Sequence, residues 1–442
     1  MSQRPKHNRA SVRMSLALAT SLFPLPLFAQ AEAEPQPPAE TAEPAPEAGA
    51  LTEAGMVTAD TPAMPEAKPM PETLSGPKLA QADSAPPPPP EETTIAETAK
   101  PDPGDEPLSV NVWGRLGNYY TSPAVGDGDA FVNAEVNLLL SGKIHEYVGW
   151  QADFVAVYGP ATSSANGNIS GTAEILDLIG KFELHDTFNV WFGRMLVPSD
   201  RSNFSGAWFM SPWNYPGFYD PSSAPVGPRQ GPFGRNDGAT VWGQLGGGIF
   251  KYYAGVFDMH APTDSPLFSG RLNLALLNPE PGYYHSSTYY GGKDIVAIGV
   301  GAQYKKEGST GVAPMGGVAP APDDYTGFNA DLLVEKTLGS AGTVSLEGAF
   351  YLFSGDNEPI DYHYLALLSY LLPMEVGIGK LQPLVRFQQA KPSDDSDSWN
   401  IIDAQLGYAI KEYSARLALG YQKIDSTAMD SDGVFLGIQL QK

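Results

Sequence analysis

Phe131-Val132-Asn133-Ala134-Glu135-Val136-Asn137-Leu138-Leu139-Leu140 is the stretch whose reading decides the fold. Successive side chains of an extended chain point to opposite faces. Val132, Ala134, Val136, Leu138 and Leu140 therefore share one side, and Asn133, Glu135 and Asn137 share the other. The same sorting returns at Val344, Leu346, Gly348, Phe350 and Leu352 against Ser345, Glu347, Ala349 and Tyr351. It returns once more at Ala415, Leu417, Leu419 and Tyr421 against Ser414, Arg416 and Gln422. Charged residues on a dry interior face would each cost several kcal/mol unless paired. A wet interior with an apolar outside is the cheaper arrangement.

Working outward, period-two stretches bounded by Gly, Pro, Asp, Asn and Ser clusters predict sixteen strands, at about 108–120, 129–143, 146–158, 171–183, 187–194, 237–245, 249–258, 269–276, 294–305, 325–337, 343–353, 361–372, 380–389, 398–410, 413–423 and 431–440. Connections that follow odd-numbered strands are long, up to about forty residues over 195–236. Those that follow even-numbered strands are mostly tight, as at 144–145, 184–186, 246–248 and 411–412, while 277–293 is long for its side. Short turns at one end and longer loops at the other characterise bacterial outer-membrane barrels. About eight strands can be filled by side chains, whereas about sixteen leave an aqueous channel. The sequence therefore predicts an all-β fold, a transmembrane antiparallel β-barrel of about sixteen strands with a long third loop folded inward. Tyr119, Tyr120, Tyr158, Tyr252, Tyr253, Tyr408, Tyr413 and Tyr421, near strand ends, are expected in aromatic girdles at the two membrane interfaces.

The barrel is assigned to 108–442. Before it, Arg4, Lys6, Arg9 and Arg13 precede an apolar run and Ala29-Gln30-Ala31, which reads as a signal peptide over 1–31. Residues 32–107 are rich in Pro, Ala and Glu and nearly free of aromatics, too little apolar surface to offset ordering entropy, so a disordered tail is expected. An even number of strands returns both barrel ends to one face. The tail is accordingly expected in the periplasm, as a spacer or as a tether to cell wall or a periplasmic partner. The net charge of −23 argues against nucleic acid as a partner. With no cysteine, disulfides, thiolate metal sites and cysteine nucleophiles are excluded.

A connection as long as 195–236 is usually functional or disordered, and its composition is wrong for disorder. It holds Phe204, Trp208, Phe209, Trp213, Tyr215, Phe218 and Tyr219, with seven prolines from Pro198 to Pro232 restricting it. These aromatics are expected to pack on the barrel wall; a stacking track for sugar rings is the alternative. Around the loop Arg194, Arg201, Arg229 and Arg235 stand against Asp200 and Asp220. Arginines at a constriction favour anions by focusing the field in a low-dielectric throat. Strand parity also points Arg115, Arg271, Arg386 and Arg416 inward, with Glu135, Asp153, Asp177, Asp331, Glu347 and Asp403 as opposing carboxylates. The competing reading is of paired wall charges that set pore shape. Alternation alone places Arg194 with Phe188, Val190 and Phe192, so a bulge or a strand end has to turn it inward.

Three stretches resemble the phosphate-selective porin O and P family of Gram-negative outer membranes. Gly193-Arg194, followed by Val197-Pro198, resembles the family's entry to its constricting loop. Arg235-Asn236-Asp237-Gly238, running into Val241-Trp242-Gly243, resembles its return, and Gly379-Lys380-Leu381-Gln382-Pro383-Leu384-Val385-Arg386-Phe387 resembles a late strand, with 400–408 similar to the one after it. The resemblance spans about 108–442. It implies a trimeric passive channel in the outer membrane, with Arg and Lys selecting phosphate in some members.

An outer-membrane barrel enzyme such as a lipase needs a nucleophile, a base and an orienting group. His145, His185, His260, His285 and His363 lie in no His-Glu-x-x-His pattern and beside no Gly-x-Ser-x-Gly elbow. The sequence thus predicts a non-enzymatic porin in contact with outer-membrane lipid, needing no cofactor or metal. It would pass small hydrophilic solutes or ions, with an anion or phosphate preference and, as alternative, a sugar or cation preference.

Overall fold

The structure is a computed structural model that describes residues 108–442 apart from 126–127, 161–168, 217–227, 259–264, 311–317, 395 and 426–429. The segments read as signal peptide and tail lie outside the described residues. One continuous antiparallel sheet is built from β1 (Ser109–Val125), β2 (Gly128–His145), β3 (Val148–Pro160), β4 (Ile169–His185), β5 (Phe188–Leu196), β6 (Arg235–Leu245), β7 (Phe250–Phe257), β8 (Leu267–Ala275), β9 (Ile295–Ser309), β10 (Asp323–Thr337), β11 (Thr343–Ser354), β12 (Ile360–Leu371), a two-residue β13 (Glu375–Val376), β14 (Gly379–Pro392), β15 (Trp399–Lys411), β16 (Ala415–Asp425) and β17 (Asp430–Gln441). β1 pairs with β2 on one side and with β17 on the other, so the sheet closes. The sixteen long strands are those expected from the alternation; β13 is a short pairing inside the β12–β14 turn.

Parity carries through the wall. On β2, Val136 is 49% exposed while its neighbour Asn137 is 1% exposed; on β17, Leu436 is 50% exposed beside a buried Phe435. Outward faces repeat this pattern with Val112, Leu116, Phe154, Phe192, Leu272, Phe328, Leu346, Leu368, Ile402 and Leu419. A continuous apolar outside of this extent exceeds what soluble monomers expose. It suits hydrocarbon, in which a spanning backbone has to satisfy its own hydrogen bonds, as a closed sheet does. Among the described residues no helix is long and apolar enough to cross a membrane, which says nothing against strands crossing it.

Several strands run past their predicted ends, most of all β1, which reaches Val125, and β9, which reaches Ser309. Apolar alternation stops where the hydrocarbon band would stop. The backbone ladder does not need it and continues through polar pairs such as Ser122 with Asp432. Tyr120 and Tyr158 face outward as expected, but Tyr119 and Tyr253 are inward and buried. Tyr413, in the β15–β16 turn, bonds Thr288. These three are internal packing residues, because strand parity and turn geometry, and not depth alone, decide which way a ring points.

Replacing an outward residue at mid-strand by a charge tests the polarity of the wall. Leu436→Arg is expected to destabilise the folded barrel by roughly 2–4 kcal/mol in lipid bilayers, read from denaturant-unfolding midpoints.

Candidate functional site

The chain leaves β5 through Val197 and returns at β6, and Gly193 and Arg194 pair directly with Gly238 and Asp237 at the base of this third loop. Gly193 has φ 117°, and a Cβ there would lie 2.1 Å from the Leu178 carbonyl oxygen, so only glycine fits. No bulge interrupts the β5–β6 register. Arg194 therefore stays on the outward side with Phe192, 3.7 Å from Asp237 and donating to the Ile175 carbonyl. This corrects the expectation that Arg194 lines the lumen: the strand end does not turn it.

The loop opens with a short helix, α1 (Arg201–Ser205), capped by Asp200, which accepts from the Ser202 amide. Arg201 donates through both terminal nitrogens to Glu280 at 2.8 Å, and its own amide donates to Asp331. Asp331 also holds Arg271 at 2.6 and 2.9 Å, and the Tyr351 hydroxyl donates to Asp200. Ser269 donates to the Pro198 carbonyl and Arg271 to that of Ser199. These bonds fix the first half of the loop against the inner faces of β8, β10 and β11.

Farther along, wall arginines donate to loop carbonyls. Arg416 reaches the Met210 oxygen at 2.6 Å, Arg115 the Trp213 oxygen at 2.7 Å, and Arg386 the oxygens of Asn214 and Tyr215 at 3.0 and 3.1 Å. Arg386 also donates to Asp403, and Arg416 to Gln439, which itself donates to the Trp208 carbonyl. On the return, Arg229 pairs with Glu358 at 2.5 Å and Arg235 with Asp177 at 3.2 Å. Each of these arginines has a carboxylate or carbonyl partner, which is the arrangement of paired wall charges.

The loop aromatics pack on the wall. Trp213 donates to the Tyr119 hydroxyl, lies beneath the Arg115 guanidinium at 4.1 Å and belongs to a cluster with Ile401, Ile424 and Phe435. Trp208 donates to Glu135 and sits 5.5 Å from Trp113, while Phe209 meets Trp113 and Tyr413 edge-on. Phe218 and Tyr219 lie outside the described residues. Glu347 accepts from Ser287, and Asp153 faces Asp177 across the β3–β4 ladder.

What the sequence reading missed is the connection between β8 and β9, residues 276–294, although its length was the signal. It meets the third loop: the Tyr283 hydroxyl donates to the Leu196 carbonyl, and the Ser287 amide to that of Phe209. His285 stacks on Phe204 at 5.1 Å. Glu280 collects Arg201, Asn273 and the Tyr289 hydroxyl, and Glu335 collects the amides of Tyr289 and Gly291 with the hydroxyls of Thr288 and Ser345. Burial alone would raise the Glu280 pKa, but the charge and hydrogen bonds of Arg201 hold it well below the ordinary value. Burial, with Lys251 nearby, pushes the His285 imidazole well below its usual range, so it is neutral at pH 7. Among the described residues no three His, Cys, Asp or Glu side chains cluster closely enough to hold a metal ion.

No known family's sequence profile matches the chain, and no curated protein matches it. Solved structures do. In-vitro folded OmpT, an outer membrane protein of Vibrio cholerae in its trimer form, aligns with TM-score 0.50 at 13% identity, covering 76% of this chain and 100% of that one. OmpF of Salmonella typhi, in complex with daunomycin, aligns with TM-score 0.50 at 11% identity, covering 76% of this chain and 97% of that one. At such identities the likeness is one of fold. The chain is a sixteen-stranded barrel resembling outer-membrane porins.

Glu280→Gln removes the bidentate carboxylate partner of the buried Arg201 guanidinium and leaves it only Asp331, 3.7 Å from Nε, a loss of at most about 3–5 kcal/mol, the range for breaking a buried pair. Amide hydrogen exchange over 199–206 at pH 7 is expected to speed up accordingly. A carboxylate whose folded pKa is depressed stabilises the fold fully above its unfolded value, here near 4.5, and loses that contribution as pH falls toward the depressed value. Wild-type docking of α1 should therefore weaken only in acid, and the Gln variant should lack that acid dependence.

Proposed function

We propose that the protein is an outer-membrane porin of a Gram-negative bacterium, a passive conduit for small hydrophilic solutes and ions. The observation that carries this reading is the polarity of a closed ring of sixteen long strands, apolar outside and polar inside. A barrel of that strand number has a circumference too large for wall side chains alone to fill. In this reading the third loop folds across the lumen and narrows it, held by Arg115, Arg201, Arg229, Arg235, Arg271, Arg386 and Arg416. The arginines act mainly as clamps, which weakens the expectation of anion or phosphate preference. The likeness to the phosphate-selective O and P family is supported by the direct pairing of the two quoted motifs at the base of the loop. It concerns how the loop is set, more than what it selects.

The reading is of a conduit and not a catalyst. His285 is packed between Phe204 and Tyr253 and serves the loop contact. A homotrimer in contact with outer-membrane lipid, with the segment before 108 in the periplasm after export, completes the proposal.

Purified protein added to planar bilayers in KCl should give discrete conductance steps. A protein that stays soluble without detergent, or gives no steps, removes the porin reading. Arg386→Gln cuts three donor bonds at once and is expected to give larger or noisier steps than wild type, since the loop loses its grip on β14; identical steps would show that this arginine does not hold the constriction.

A further inference from the structure

We propose, resting on the porin reading, that the connection 276–294 is a fixed strap across the end of the lumen that carries the short turns. It confines the opening there to the side of β2–β4, where Lys143 and Glu183 are the charges a solute meets. Tyr283 stacks on Trp191 of β5 at 4.4 Å, and five residues on, Thr288 exchanges two hydrogen bonds, at 3.1 and 2.9 Å, with the hydroxyl of Tyr413 in the β15–β16 turn. Between β5 and that turn lie six long strands one way round the ring, β4 to β1 with β17 and β16, and nine the other way. Five residues reach at most about 18 Å, while six strands at roughly 4.8 Å spacing take up about 29 Å of wall. The segment, with two rings reaching in to meet it, therefore cuts across the lumen.

On the nine-strand side the strap is docked and dry. Tyr289 packs on Ala275, Ile295, Ala297 and Leu333, an inward apolar cluster that a wet lumen would leave exposed to water at a cost. Ala275, Ile295, Thr343 and Leu371 are each the first or last residue of a strand at this end, yet none is more than 5% exposed. Glu335 fixes the strap there through the amides of Tyr289 and Gly291.

On the six-strand side the pattern reverses. Phe209 bridges Tyr413 and Trp113 of β1, at 5.3 and 5.7 Å, which closes the part beside β16, β17 and β1. What remains lies against β2–β4. Lys143 and Glu183 stand two residues short of their strand ends and face inward by parity, and their side chains are 33% and 35% exposed. At 4.0 Å from each other they form a loose pair that water reaches.

The chain has no cysteine, so a single introduced thiol reports its own exposure. In planar bilayers, 2-sulfonatoethyl methanethiosulfonate, which does not cross the membrane and attaches one negative charge through a disulfide, is added on both sides to channels of Lys143→Cys and of Ala297→Cys. The K+/Cl− permeability ratio of Lys143→Cys is expected to rise about two- to three-fold in dilute KCl, the effect of one unit charge roughly 6–8 Å from a passing ion in water. That of Ala297→Cys is expected to stay as it was. Glu183→Cys stands in for Lys143→Cys, and Ala275→Cys for Ala297→Cys, where either does not insert. A response in the Ala297 or Ala275 variant, or none in the Lys143 and Glu183 variants, would overturn the strap while leaving the porin reading intact. Protein that forms no channels would overturn both.

Discussion

A chain that crosses hydrocarbon has to hydrogen-bond every backbone N–H and C=O to itself, and a sheet can do so only by losing its edges. Closure of β1 onto β17 meets this requirement, and the rest of the molecule is arranged around it. Closure with alternating side chains forces each strand to present one face to each solvent, so the apolar residues go outside by necessity. A one-residue slip in any strand would exchange the faces. The β4 bulge is such a local slip, and two consecutive residues, Leu176 and Asp177, are buried there.

Polar faces turned inward then need partners, and the third loop supplies them. Ordering a loop residue costs about 1–2 kcal/mol of backbone entropy, while a hydrogen bond to a charged group returns roughly 1.5–3 kcal/mol. Arginine anchors at the carbonyls of Met210, Trp213, Asn214 and Tyr215 thus offset the ordering of their own residues and little more. The aromatic packing of Phe204, Trp208 and Trp213 has to carry the residues between them. Seven prolines reduce the entropy to be lost in the first place.

The architecture was legible because its signal is local. Period-two patterning needs only neighbours, and it placed all sixteen long strands and the inward direction of Arg115, Arg271, Arg386 and Arg416. It also warned, correctly, that Arg194 shares a face with Phe192. The partners of those arginines were not legible: Arg416 and Met210 are 206 residues apart, and Arg201 and Glu280 are 79 apart, so only the closed barrel brings them together. The inward course of 276–294 was hidden for the same reason. Its unusual length was visible, but Glu280, Tyr283 and Ser287 gain meaning only from contact with a loop that enters from the opposite end of the barrel.

That the clamps are arginines and not lysines follows from geometry. A guanidinium presents donors in a rigid planar fork, so Arg386 serves Asn214, Tyr215 and Asp403 simultaneously, each from a different nitrogen. An ammonium on a flexible stem would hold one such partner well and order more of its own chain in doing so. Within 195–236 the sequence has no lysine at all. The positive balance of this loop, read along the sequence, suggests a field that attracts anions. Folded, the same charges are directed into carbonyl dipoles and carboxylates a hydrogen bond away, so their count along the sequence overstates the field they present to the lumen.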